Sequence, residues 1–255
     1  MAIEIDLSGH LALVTGASGE LGRPITRTLA ACGADVVIHY FRGADRARKL
    51  LQEVRALGGR AMTVQADVTD EASVLAMRDA VAAELGEPDI LVNNAVSQYE
   101  WATILKQPVA DYEDQFRSCV LQTVLMAKAF VPAMIARKYG RIVVTNTECA
   151  MQCWPGQSAY ASAKRGLDGI ARILAKEVGE HEITVNQVAP GWMISDKTRA
   201  SGSQRQPHYD QKVPMGHRGE DQEIANAVAF LASDLAKFIT GVYLPVCGGG
   251  VMPRI

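Results

Sequence analysis

The sequence predicts a doubly wound α/β (Rossmann) fold, a parallel sheet with helices on both faces, and three observations predict it. Short apolar runs rich in β-branched residues alternate with longer amphipathic stretches along the chain. Runs such as LALV, DVVI, DILV and RIVV are near-continuous, as expected of strands whose two faces are both covered. The first run leads into a glycine-rich turn, TGASGELG, that opens a helical stretch, which is the context of a dinucleotide site. A length of 255 residues suits one domain over 1–255 better than two.

In chain order, the strand at 10–15 is followed by a helix to about Cys32, a strand at 35–40 and a helix to about Leu57. A strand at 60–65, a helix from Asp70 and a strand at 89–93 come next. A long helical stretch over 111–138 then precedes a strand at 141–146. A helix around 160–179 leads to a strand at 184–188, and a helix over 220–233 precedes the last strand, 243–246. Residues 191–219 contain SGSQRQPHYDQ, polar and without apolar periodicity. So long a connection in a compact domain is usually functional, and a substrate-covering lid with short helices is expected there.

Lys+Arg 26 against Asp+Glu 28 give a net charge of -2, which excludes the strong electrostatic footprint of a nucleic-acid binder or of a protein held on anionic lipid. A small-molecule partner is expected. The start MAIEIDLSGH lacks a basic residue followed by an apolar run, and no stretch reads as the ~20 apolar residues of a membrane span, so a cytoplasmic location is expected. Five cysteines without an export signal read as reduced thiols. Cys149 and Cys153 lack further ligands at zinc spacing and read as packing residues, so no metal is expected.

In TGASGELG, Gly16, Gly19 and Gly22 recur at three-residue spacing. Such a turn lets the backbone approach a pyrophosphate, while the helix start supplies free N–H groups and the positive end of its dipole. Gly22 is expected to let the helix pack closely on the sheet. The second strand ends His39-Tyr40-Phe41-Arg42, with no acidic residue to hold the ribose hydroxyls of NAD. Arg42 is instead suited to a 2′-phosphate, so NADP(H) is favoured over NAD(H). Asp67, at the end of the third strand, is placed to meet the adenine; the rival reading makes it a helix-entry residue near Asp70. Tyr160 and Lys164, in YASAK, share one helix face one turn apart. An ammonium there is expected to lower the phenol's pKa and fit it for proton exchange with a carbonyl oxygen.

With TGASGELG, ADVTD, NNA at 93–95, GRIV at 140–143, Tyr160 with Lys164, VAPG at 188–191, and ITG followed by GGG, all in the same order, the chain resembles the short-chain dehydrogenase/reductase family over nearly its whole length. It is similar in character to the 3-oxoacyl carrier-protein reductases and related ketone, sugar and steroid reductases. The resemblance implies NAD(P)-dependent interconversion of a carbonyl and a secondary alcohol, with Tyr160 as acid/base. It implies that the cofactor is met by Gly16, Ser18, Gly19, Leu21 and Gly22 in the turn, and by Tyr40, Arg42, Asp67 and Val68 at the adenosine end. Asn94 and Ala95 stand beside it, Lys164 bonds the nicotinamide ribose, and Pro190, Gly191 and Met193 border the nicotinamide. It also implies a homotetramer packed through the helices at 111–138 and 160–179.

Thirteen residues before Tyr160 stands Thr147, where the family usually has the serine that bonds the substrate oxygen; threonine keeps the hydroxyl. Cys119 aligns with the family's helix asparagine, and a thiol is a poor replacement for its hydrogen bonds. Val96 replaces a usual glycine and is expected to crowd the cofactor's path, and Glu20 is expected to repel a pyrophosphate unless it points away. These departures motivate an alternative, a catalytically weak nucleotide-binding or assembly subunit. Cys149, Met151, Cys153, Trp154 and Trp192 are expected around the substrate, although core packing explains them as well.

Overall fold

The computed structural model describes residues 4–253. Seven strands, β1 (Leu11–Val14), β2 (Asp35–Tyr40), β3 (Ala61–Gln65), β4 (Ile90–Asn93), β5 (Gly140–Thr145), β6 (Ile183–Pro190) and β7 (Tyr243–Val246), form one sheet in the order β3-β2-β1-β4-β5-β6-β7. Every neighbouring pair is parallel. The chain order reverses between β1 and β4, and at such a switch point the loops leaving the two strands part to form a crevice.

Side chains alternate between two cores. Leu11, Leu13, Val37 and Leu91 join the cluster under α3 (Glu71–Glu84), α5 (Gln122–Arg137) and α7 (Ser158–Val178). Ala12, Val14, Val36, Ile38 and Val92 join the opposite cluster, under α1 (Gly22–Ala31), α2 (Ala44–Arg55) and α10 (Asp221–Ala232). Helix starts are marked by local chemistry. The Asp70 carboxylate accepts the Ser73 N–H at 2.7 Å to cap α3, and Glu220 with Glu223 forms a capping box on α10.

Two features depart from the sequence reading and one agrees with it. The 111–138 stretch is α4 (Val109–Phe116), a π-helical turn at Arg117–Leu121 and then α5. Together they make a continuous helix of 29 residues that is, contrary to expectation, long and apolar enough by length and composition to cross a membrane. Its apolar face is spent on the sheet core instead. A short helix, α6 (Cys149–Gln152), follows β5 where none was expected. Within 191–219 lie α8 (Asp196–Ala200) and α9 (Pro207–Asp210), the short helices foreseen for the lid.

Candidate active site

The glycine turn crosses the switch point. Gly16 has φ +62°, and a Cβ there would stand 3.0 Å from the Ala95 Cα at the end of β4. A Cβ at Gly22 would lie 2.2 Å from the Gly16 carbonyl and 2.7 Å from the Ala17 Cα, so this glycine lets the helix close on the turn itself and not, as expected, on the sheet. Gly19 has an ordinary φ and is crowded by one atom, the Gly16 carbonyl at 3.1 Å. Among the described residues no backbone acceptor takes the N–H of Ser18 or Leu21, which leaves donors at the start of α1. The Asn94 amide donates to the Thr15 carbonyl at 3.0 Å, and the Thr15 hydroxyl accepts the Asn94 and Ala95 N–H groups at 2.9 and 3.0 Å. Thr15 donates in turn to buried Gln122 at 2.7 Å, a brace that the sequence reading missed. The fit to a dinucleotide is therefore built in: glycines where a Cβ would collide, free N–H groups, and a braced strand pair.

His39 is a second unforeseen support. The Gly16 N–H donates to its Nδ1 at 3.0 Å and its Nε2 lies 3.0 Å from the Ala66 carbonyl, which fixes the tautomer with hydrogen on Nε2. Burial pushes this imidazole down to about 4 from its ordinary 6.5, against the pull of the Ala66 carbonyl and Asp67. A folded pKa below the unfolded one stabilises the protein fully above pH 6.5. That contribution, ~3 kcal/mol at most, is lost as pH falls toward the folded value. Urea unfolding at pH ~7 and ~4.5 is expected to show a smaller drop in stability for His39→Gln than for the wild type. Equal drops would show that His39 is not the titrating support.

The residues expected to meet the adenosine fall in different settings. Tyr40 closes β2, while Arg42 is exposed, its guanidinium 5.4 Å from the Phe41 ring centre. Asp67 gives one carboxylate oxygen to the Thr69 N–H at 2.8 Å and the Thr69 hydroxyl at 2.7 Å, in the loop before α3, whose N-cap is Asp70. The Val68 side chain is buried in the core. Val96, partly buried, packs against the same core.

Tyr160 and Lys164 lie in the first two turns of α7, beside the end of β5. The Tyr160 N–H donates to the Tyr99 hydroxyl at 3.0 Å, and Tyr112 and Ser158 share a hydroxyl pair at 2.6 Å, which together fix the helix start. Buried Lys164 donates to the Thr145 carbonyl at 2.6 Å, and its Nζ is 5.6 Å from the Tyr160 ring centre. Asn146, also missed, ties the strand end to the helix. It donates to the Lys164 carbonyl at 3.1 Å and to Gln187 at 2.7 Å, and its Oδ1 accepts the Thr147 N–H at 2.9 Å.

Contrary to the expectation from the Tyr–Lys spacing, the Tyr160 phenol is pushed up, not down. Burial is the main cause, the Cys119 and Cys149 thiols add to it, and the Thr147 side chain acts in the opposite sense. The ammonium stands over the ring and is engaged by a carbonyl, so burial wins. Cys119 itself is buried on the π-helical turn.

A cavity of about 640 Å³ opens in front of Tyr160 and Thr147. Of the residues expected around the substrate, Cys149, Trp154 and Trp192 line it; Cys153 lines a neighbouring groove instead, and Met151 lines neither. Gly191 lines it too, and a Cβ there would meet the Tyr209 hydroxyl at 2.6 Å. That hydroxyl, on α9, accepts the Trp192 N–H at 2.9 Å and donates to Glu148 at 2.7 Å. Pro190 ends β6, whereas the Met193 side chain is buried, a Cβ at Gly219 falling 2.6 Å from its Cε. Burial pushes the Glu148 carboxyl up, the Tyr209 hydroxyl bonded to it and the neighbouring Gln152 side chain acting in the opposite sense. Glu148, three residues past the end of β5, carries no sequence signal beyond its place beside Thr147.

The 191–219 segment is tied down at both ends. Arg218 donates to the carbonyls of Trp192 (2.8 Å), Met193 (2.7 Å) and Ser203 (3.0 Å) and lies 4.5 Å from the Trp192 ring centre. Glu20 points away from the turn. It pairs with Arg23 at 3.1 Å and accepts the Lys197 N–H at 3.0 Å, while Arg23 also bonds Asp196 at 3.0 Å. Burial alone would raise the Glu20 carboxyl, but these bonds, with the Ser195 hydroxyl, hold it below the usual range. The Arg23 guanidinium thus offsets the charge that was expected to repel a pyrophosphate.

Comparison with known proteins agrees with this geometry. A family model described as enoyl-(acyl carrier protein) reductase matches residues 16–250. The chain is 39% identical to the 3-oxoacyl-[acyl-carrier-protein] reductase FabG of Escherichia coli (strain K12) over 249 residues, 97% of this chain and 100% of that one. Among solved structures it is similar to a putative gluconate dehydrogenase from Agrobacterium tumefaciens (TM-score 0.92, 27% identity, 99% of this chain and 100% of that one). It is also similar to a 7α-hydroxysteroid dehydrogenase complexed with NADH and 7-oxo glycochenodeoxycholic acid (TM-score 0.89, 32% identity, 99% of each chain). Nothing in these likenesses supports a subunit without turnover. The chain belongs to the short-chain dehydrogenase/reductase family and is an NAD(P)-dependent oxidoreductase that interconverts carbonyls and alcohols.

Proposed function

We propose that Tyr160 is the acid/base of this reaction, that Thr147 orients the substrate oxygen, and that NADP(H) is the preferred cofactor. The observation that carries the first assignment is the convergence of Tyr160 and Thr147 on one cavity at the carboxyl edge of the sheet. When bound, the nicotinamide supplies or accepts the hydride at the substrate carbon. Tyr160 gives its hydroxyl proton to the carbonyl oxygen in reduction and takes it back in oxidation. A phenol held above its ordinary range is protonated at neutral pH, the form that reduction requires. Lys164, buried beneath it, offers the positive charge that stabilises the developing phenolate.

The turn from Gly16 to Gly22, including Ser18, Gly19 and Leu21, holds the pyrophosphate in this reading, with Asn94 and Ala95 bracing the strand pair. Tyr40, Asp67 and Val68 border the adenosine, Lys164 bonds the nicotinamide ribose, and Pro190, Gly191 and Met193 border the nicotinamide. Arg42 stands exposed at the end of β2, where it is free to pair with a 2′-phosphate. Arg42→Ala is expected to weaken NADPH binding roughly tenfold or more and NADH binding by less than about twofold, read by titration of each cofactor. Equal losses would remove Arg42 from phosphate recognition. A cofactor-coupled screen of ketones, acyl thioesters and sugar alcohols tests the redox reading itself.

Residues 191–219 serve as a lid on this single domain. A homotetramer packed through α4, α5 and α7 is supported by exposed apolar side chains on two of those helices, Val109 and Phe116 on α4 and Ile173 on α7. The five free cysteines suit a cytoplasmic setting.

A further inference from the structure

Two acceptor oxygens in the wall of the substrate cavity have no donor in the protein. Glu148 is 2% exposed; the Tyr209 hydroxyl reaches its Oε1, but Oε2 accepts no hydrogen bond. Gln157 is 5% exposed, and its side-chain oxygen is likewise unpartnered. Leaving one such group buried without a donor costs ~1–3 kcal/mol, and a fold tolerates two in one cavity where a ligand supplies the donors.

A carboxylate offers about four lone-pair positions, and the fold uses one of them here. Behind Oε2 lies the C-terminal segment, where a Cβ at Gly250 would stand 2.9 Å away. Glu148 and Gln157 both line the same cavity, the open volume nearest to these two oxygens.

The rest of the wall narrows the chemistry. The rings of Tyr99, Trp101, Trp154 and Trp192 supply flat apolar faces against which C–H groups pack. Among the described residues no lysine or arginine lines the cavity, so no fixed cation receives an anionic group inside it. Two cations stand against its rings instead, Lys212 at 4.4 Å from the Trp154 centre and Arg218 at 4.5 Å from that of Trp192. Their charge disfavours an ammonium substrate. Hydroxyl donors on a carbon skeleton with C–H faces satisfy both the oxygens and the rings.

We infer that the cavity selects an uncharged, hydroxyl-rich substrate, a polyol or its ketone, with Glu148 and Gln157 accepting hydrogen bonds from hydroxyls that flank the reacting carbon. This rests on the reading above that the cavity before Tyr160 and Thr147 is the substrate site. Sites built to pair with a substrate hydroxyl discriminate strongly against analogues that lack it, because their own polar groups are then left bare.

The test measures kcat/KM of the wild type for sorbitol and myo-inositol against cyclohexanol and 2-octanol, with a primary amino alcohol and a 3-oxoacyl thioester alongside. Polyols are expected to lead by ~100-fold or more. Glu148→Gln and Gln157→Leu are each expected to shrink the polyol-to-cyclohexanol ratio at least ~10-fold, mainly through KM. Calorimetric titration of sorbitol into the protein with NADP⁺ present separates this inference from the redox reading. Sorbitol bound by the wild type and more weakly by both variants, without turnover of any alcohol, would sink the redox reading and keep the recognition. Turnover led by 2-octanol, the amino alcohol or the thioester, or a polyol ratio unmoved in both variants, would overturn the inference while leaving the oxidoreductase intact.

Discussion

Tyr160→Phe is expected to lower turnover by roughly 10²- to 10⁴-fold, the range that a positioned acid–base group supplies, while dinucleotide binding changes by less than about twofold. The ring stays in place because its surroundings hold it without the hydroxyl. The Tyr160 N–H is fixed by Tyr99, and the Trp101 ring stacks at 6.4 Å between centres. What the substitution removes is one proton donor facing the cavity beside Thr147. Steady-state assays paired with cofactor titration read the two effects apart. A variant that turns over at the wild-type rate would require another acid, and the Tyr160 assignment would fail.

Gly22→Ala is expected to produce the second large effect, a loss of dinucleotide affinity of ~10-fold or more together with ~1–3 kcal/mol of stability. The new Cβ would meet only backbone, the Gly16 carbonyl and Ala17, so no flexible side chain is available to yield. The turn cannot easily retreat either. Gly16 is tied to His39, the Ala17 N–H to the His39 carbonyl at 2.9 Å, and Thr15 to β4 through Asn94. Gly19→Ala serves as the contrast, because a single contact at 3.1 Å and an ordinary φ allow it to be absorbed more cheaply. Denaturant melts and cofactor titrations of the two variants check this, and equal losses at both positions would show that tight closure at Gly22 is not what forms the site.

The strands were legible because both faces of the sheet are covered, which forces apolar residues at consecutive positions; β2 and β7 fall where the sequence puts them. The turn and the Tyr160–Lys164 pair were legible because their chemistry is local. What escaped depends on distant parts of the chain. Glu148 looks like an ordinary helix-entry acid until Tyr209, 61 residues away, folds back onto it. Gln122 acquires its role from Thr15, 107 residues earlier, and Asn146 from Lys164 and Gln187. The π-helical turn at Arg117–Leu121 has no compositional signature, since one changed hydrogen-bond step makes it. The direction of the Tyr160 shift was misread for a related reason. Spacing on a helix places an ammonium near a phenol, but the amount of water excluded around both is set by the whole fold.

Glu20, which in isolation looked hostile to an anion, fastens the first helix of the proposed lid to the phosphate turn, and Arg218 rivets the far end of the same segment. A strip clamped at both ends bows outward in its middle; it does not swing on one hinge. On the lid reading proposed above, passage in and out falls to residues 204–217, which carry Tyr209 and its grip on Glu148. Breeding new selectivity into this scaffold calls for rewriting that central span and leaving the two rivets alone.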